Sequence, residues 1–183
     1  MQYVQQLIGR GPRFFGNPLG GQGCLMPWPA TTYMTADSTS ATGFRLAIPR
    51  EAMPVNDDGT VVEPTFFDRW DGYSPTGPML AAFPTGVSSA GLPPFDDPDK
   101  SLAASSPIIL LDMDTGERAP FFAEIDQNEP DAPSRDLIIR PLARLHEKSR
   151  YVVAIRNTAH RKIFGPTPVE KIPARKSKKA KAD

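Results

Sequence analysis

The sequence predicts a mainly β fold, a β-sandwich, and three observations carry that expectation. The 183 residues include 21 prolines and 14 glycines, residues that interrupt helices and strands alike and favour a chain that turns often. No apolar stripe at helical spacing runs long enough to suggest a bundle. Short alternating or fully apolar runs, about seven of them, recur between turn residues, as in two packed sheets.

Taken in order, Gln2–Ile8 reads as a short helix inside a Gly-rich opening stretch, residues 1–23. GCLMPWPATTYMT places Leu25, Met26, Trp28 and Tyr33 among prolines, which predicts an extended, packed segment. GFRLAIP, Gly43–Pro49, alternates and reads as a strand, and Asn56–Gly59 (NDDG) is a turn by composition. PTFFDRWDGYSP is aromatic-rich and closes in a turn, and Pro78–Phe83 is a short apolar strand. Pro107–Asp112 (PIILLD) is apolar on both faces and so is expected in the centre of a sheet. MDTG then turns the chain into ERAPFFAEID as a hairpin. DLIIRP and RYVVAIRN follow as strands, the second with Tyr151, Val153 and Ile155 on one face.

Between those last two strands lies a polar corner. Leu145 precedes Tyr151 by six residues, and Tyr151 opens its strand. In immunoglobulin-like sandwiches a tyrosine so placed folds its hydroxyl back onto upstream backbone while its ring packs in the core. A catalytic tyrosine is the competing reading, and the structural corner is the simpler one.

Formal net charge is zero, but residues 161–183 carry eight Lys/Arg against two Asp/Glu, so residues 1–160 hold six net negative charges. A mildly acidic body has no general attraction for nucleic acid, and no specific nucleic-acid partner is expected. Beyond the last strand, Pro166, Pro168 and Pro173 and a lysine-rich end leave little to bury, so residues 159–183 are expected to be a disordered basic tail. The domain proper is then 24–158. A single cysteine, Cys24, excludes an internal disulfide. No stretch has the length of a membrane helix and the first twenty residues lack a signal-peptide apolar run.

Several short motifs invite chemistry. Asp114-Thr115-Gly116 follows an apolar strand, as the catalytic loop of an aspartic protease does, but that reaction needs two carboxylates sharing a proton. Glu117 stands where such loops hold a small residue, and a turn explains Asp-Thr-Gly equally well. Calcium is conceivable at Asp112/Asp114/Glu117, at Asn56/Asp57/Asp58 or at Asp96/Asp97/Asp99, yet none has the spacing of a full calcium loop, and no cofactor is expected. Gly72–Gly77 and Gly86–Gly91 each place the second glycine too late for a nucleophile elbow around Ser74 or Ser88. His146 and His160 have no evident acid or thiol partner in sequence, and Cys24 beside Pro27 and Trp28 reads as a buried thiol.

The order of blocks GCLMPWP, Thr39–Gly43, Ala52–Asn56 (AMPVN), Asp71–Pro75 (DGYSP) and Pro107–Thr158, with Pro141, Leu145 and Tyr151 in place, resembles the N-terminal region of large secreted bacterial proteins of myxobacterial type. Those proteins are related to the bacterial virulence-factor lipases. The resemblance covers roughly residues 17–158. It implies an Ig-like accessory domain, an extracellular or cell-envelope setting, and a following α/β-hydrolase domain that carries the catalytic residues. No export signal or hydrolase domain is found in this sequence, and HRKIFGPTPVEKIPARKSKKAKAD departs from the pattern. A chain truncated before the hydrolase would read this way.

Two functions follow as expectations. One is a non-catalytic accessory domain that docks on the hydrolase domain of a parent protein. The other is a module that binds a polysaccharide or cell-envelope partner through Trp28, Phe66, Phe67, Trp70 and Tyr73. Core packing is the simpler account of those rings, and exposure separates the two.

Overall fold

The structure, a computed structural model, describes residues 3–5, 25–83 and 86–156. In chain order its strands are β1 (Tyr3–Gln5), β2 (Met34–Ala36), β3 (Phe44–Leu46), β4 (Met79–Ala81), β5 (Ile108–Asp112), β6 (Phe121–Ile125), β7 (Leu137–Pro141) and β8 (Arg150–Ile155). Single 3-10 turns punctuate them, and the described residues include no α-helix. The mainly β, mainly antiparallel architecture agrees with the dense proline and glycine punctuation.

Two three-stranded sheets organise the chain: β4-β7-β6, antiparallel throughout, and β1-β8-β5, in which β1 runs parallel to β8 and β5 antiparallel. β2 and β3 form a separate hairpin. Inward residues of both larger sheets meet in one cluster: Met79 and Ala81, Ile108 and Leu110, Phe121 and Ala123, Leu137 and Ile139, Tyr151 and Val153. These positions alternate along each strand, the spacing that places side chains on one face. The corner residue Leu145 joins the same cluster. A second cluster, Ala30, Tyr33, Ile48, Ala52 and Met53, gathers the segments before residue 70. Paired bonds between Trp28 and Leu80 tie that region to the edge of β4.

Three expectations need correction. Within Gln2–Ile8, Tyr3–Gln5 is a strand along β8 where a helix was expected, and the other residues of that stretch lie outside the described residues. A helix of one or two turns is marginal alone, whereas an open strand edge offers partners for the backbone at once. Pro107–Asp112 is not central either. β8 holds the middle position and β5 lies at the sheet edge. Its apolar run reports coverage of two faces, with Ile108 and Leu110 buried and Ile109 and Leu111 half-buried, and says nothing about neighbours in the ladder.

The third correction concerns the hairpin. After the Met113–Gly116 turn the chain pairs with β5 only briefly, through Asp112 N–H to Glu117 O (2.9 Å) and Ala119 N–H to Leu110 O (2.9 Å). Pro120 then has no N–H to extend a ladder, and β6 enters the opposite sheet. The turn is a crossing between sheets that also shields part of the β5 edge.

Candidate functional site

The densest polar construction lies where β5 ends and β8 begins. Asp112 closes β5 and is only 3% exposed, and its carboxylate organises the turn that follows. Oδ1 accepts the N–H groups of Asp114 (2.9 Å) and Thr115 (3.2 Å), the local bonding that makes aspartate a turn residue. Gly116 ends the turn at φ +75°. Oδ2 faces His146 Nδ1 at 3.2 Å, and the Tyr151 hydroxyl also donates to this carboxylate. The same hydroxyl accepts the His146 backbone N–H at 3.0 Å.

Burial alone would raise the Asp112 pKa, but donors from Asp114, Tyr151, Thr115 and His146 outweigh it and hold the carboxyl below its ordinary range. Burial, reinforced by that carboxylate, pushes the Tyr151 phenol up. Asp114, the aspartate of Asp-Thr-Gly, is engaged on both oxygens by Arg150. The guanidinium reaches Oδ1 at 2.9 and 3.1 Å and the Arg150 N–H reaches Oδ2 at 3.0 Å, which lowers the Asp114 pKa. Leu145 is buried, and its N–H donates to Pro75 O at 3.1 Å. The corner loop is thus fastened to β5, to β8 and to the 72–77 loop.

Sequence inspection finds no acid for His146 because Asp112 lies 34 residues away; only the strand register brings the two together. A carboxylate on Nδ1 is also how acyl-transfer histidines are oriented. Here, among the described residues, no serine hydroxyl is hydrogen-bonded to Nε2, and the ring points to solvent with its side chain 69% exposed.

Four further motif residues are occupied locally. Asp58 accepts the Thr60 N–H, Asp97 pairs with Lys100 at 2.8 Å, and Ser74 and Ser88 accept the N–H groups two residues on. Among the described residues no cluster of three or more His, Cys, Asp or Glu is arranged to hold a metal ion. No helix among them is long and apolar enough to cross a membrane. Cys24, His160 and the basic stretch 159–183 lie outside the described residues, as do residues 6–23.

The aromatic candidates divide by exposure. Tyr73 is buried, its hydroxyl donating to Ala30 O at 2.6 Å, and burial pushes its pKa up. Trp28 is half-buried, edge-on to Tyr73 at 4.9 Å and packed on the second cluster. Both rings pack against neighbouring residues of the fold. Phe66 and Trp70 are 55% and 39% exposed, and with Phe67 they form a triad at 5.4–5.5 Å with interplanar angles of 68–90°. The Arg69 guanidinium lies 4.3 Å over the Phe66 ring.

An open cleft of about 330 Å³ separates Thr42, Asp71 and Pro75 from Arg144, Glu147 and Lys148 of the corner loop. Its lining alternates in charge, and Arg144 is ion-paired with Glu147. Comparison of the chain with family models, with curated proteins and with solved structures finds no match.

Proposed function

We propose that the chain is a non-catalytic accessory domain of Ig-like sandwich type that acts by docking on a protein partner, in the first instance the hydrolase domain of a lipase- or esterase-like parent. The observation that carries this reading is the use made of Asp112, Asp114, His146 and Tyr151. Each is committed to holding the turn after β5 and the β7–β8 corner against one another. A catalytic aspartate must be free to exchange a proton with substrate, whereas Asp114 is locked to Arg150 and Asp112 is buried under four donors. Support for the sandwich comes from the two sheets sharing one core and from the tyrosine hydroxyl meeting backbone five residues upstream.

The accessory reading is tested by incubating purified protein with p-nitrophenyl butyrate and with casein. The expected result is no turnover above buffer. Ester hydrolysis abolished by His146→Gln, or casein cleavage abolished by Asp114→Asn, would replace the accessory domain with an enzyme.

A further inference from the structure

Building on the accessory-domain reading, we infer that the Pro64–Trp70 turn is the docking surface, and that its occupant is a protein segment presenting a carboxylate beside an apolar side chain. The argument begins with the arginines. Arg45, Arg50, Arg140, Arg144 and Arg150 each pair with a carboxylate. Arg118, Arg135 and Arg156 each donate to backbone carbonyls. Among the described residues Arg69 is the remaining one, and its guanidinium rests on the Phe66 ring. A stacked guanidinium keeps its N–H edge directed outward, and a carboxylate is the group that edge recognises best.

The surrounding surface is apolar and held in place. Phe67 packs into the second cluster and anchors the triad from below. Phe67 N–H bonds Pro64 O (2.8 Å), Trp70 N–H bonds Phe67 O (2.9 Å), and Trp70 O accepts Leu46 N–H (2.8 Å). Arg45, itself paired with Asp37, donates to Arg69 O at 3.0 Å. The exposed faces of Phe66 and Trp70 are therefore presented without much further ordering, which lowers the cost of association. Trp and Arg are the residues that dominate protein–protein contacts. A sugar stacks best on a platform of parallel ring faces; here the rings stand edge to face and Arg69 takes one face of Phe66.

The test uses the full chain and follows tryptophan emission during titration with a synthetic peptide of alternating Glu and Leu. Lys–Leu and Glu–Ser peptides serve as its counterparts. The Glu–Leu peptide is expected to bind, with both counterparts weaker by about tenfold or more, as for loss of a hot-spot contact. Phe66→Ala and Arg69→Gln should each weaken it to a similar extent, whereas Phe95→Ala, at an exposed ring elsewhere, should leave it unchanged. Absence of binding, equal binding by Arg69→Gln, self-association lost in Trp70→Ala, or saturable binding of cellohexaose lost in Trp70→Ala would each overturn the inference. Ester turnover would sink the accessory reading while leaving the peptide result to stand by itself.

Discussion

Replacing Tyr151 by phenylalanine removes one oxygen from a site where it serves two partners. Tyr151 is 2% exposed, so the ring stays in the core and only the bonds change. The hydroxyl accepts His146 N–H at 3.0 Å and donates to the Asp112 carboxylate. A neutral bond contributes a net ~1 kcal/mol and one to a charged group about 1.5–3 kcal/mol. Asp112 retains the donors Asp114, Thr115 and His146, and the His146 N–H lies on a half-exposed loop, so the lower part of the range applies.

The expected loss is about 2.5–3 kcal/mol, or roughly 8–12 °C in thermal midpoint for a body of this size. Urea unfolding of wild type and Tyr151→Phe at neutral pH measures it directly. The same experiment in acid adds an independent signature. The folded pKa of Asp112 is lowered, so its contribution is complete above about pH 4 and disappears as pH falls through the folded value. Tyr151→Phe removes one of the causes of that lowering, and the variant should lose less stability on acidification than wild type does. Asp112→Asn should lose least. A Tyr151→Phe effect within about 0.5 kcal/mol, the range of ordinary surface positions, would refute the claim that the hydroxyl fastens the corner.

Two further outcomes follow from other sites. Gly86 sits at φ +73°, and a Cβ there would meet Ala132 O at 2.9 Å and Pro133 Cα at 3.0 Å, whereas Gly43 at φ +80° has open space. Gly43→Ala should therefore show only the left-handed backbone cost of roughly 1–2 kcal/mol, and Gly86→Ala measurably more; equal losses on urea unfolding would contradict the close approach of the 132–133 turn. Asp136 has a raised pKa, first from burial and then from Asp126 and Glu129. A raised carboxyl pKa costs stability above the unfolded value, so Asp136→Asn should raise the midpoint at pH 7 and the gain should vanish below about pH 4; a fall at pH 7 would mean the carboxylate has a favourable partner.

What the sequence determined by itself was the mainly β class and the location of most of its strands, β1 excepted. Leu46, Met79, Ile108, Phe121, Leu137 and Val153 stand in runs whose alternation and turn-bounded lengths depend only on local geometry. Buried positions inside those runs were legible for the same reason. The neighbour relations were not. Nothing local says that β8 lies between β1 and β5, or that the chain leaves β5 at Pro120 for the opposite sheet, because pairing is settled by contacts between residues far apart in sequence. The aromatics make the same point, since Tyr73 and Trp70 are three residues apart and one is buried while the other is exposed. The corner is divided between the two levels. Leu145 and Tyr151 were visible from spacing, but Asp112 and His146 were not, because only the β5–β8 register carries a buried carboxylate to within 3.2 Å of an imidazole 34 residues away.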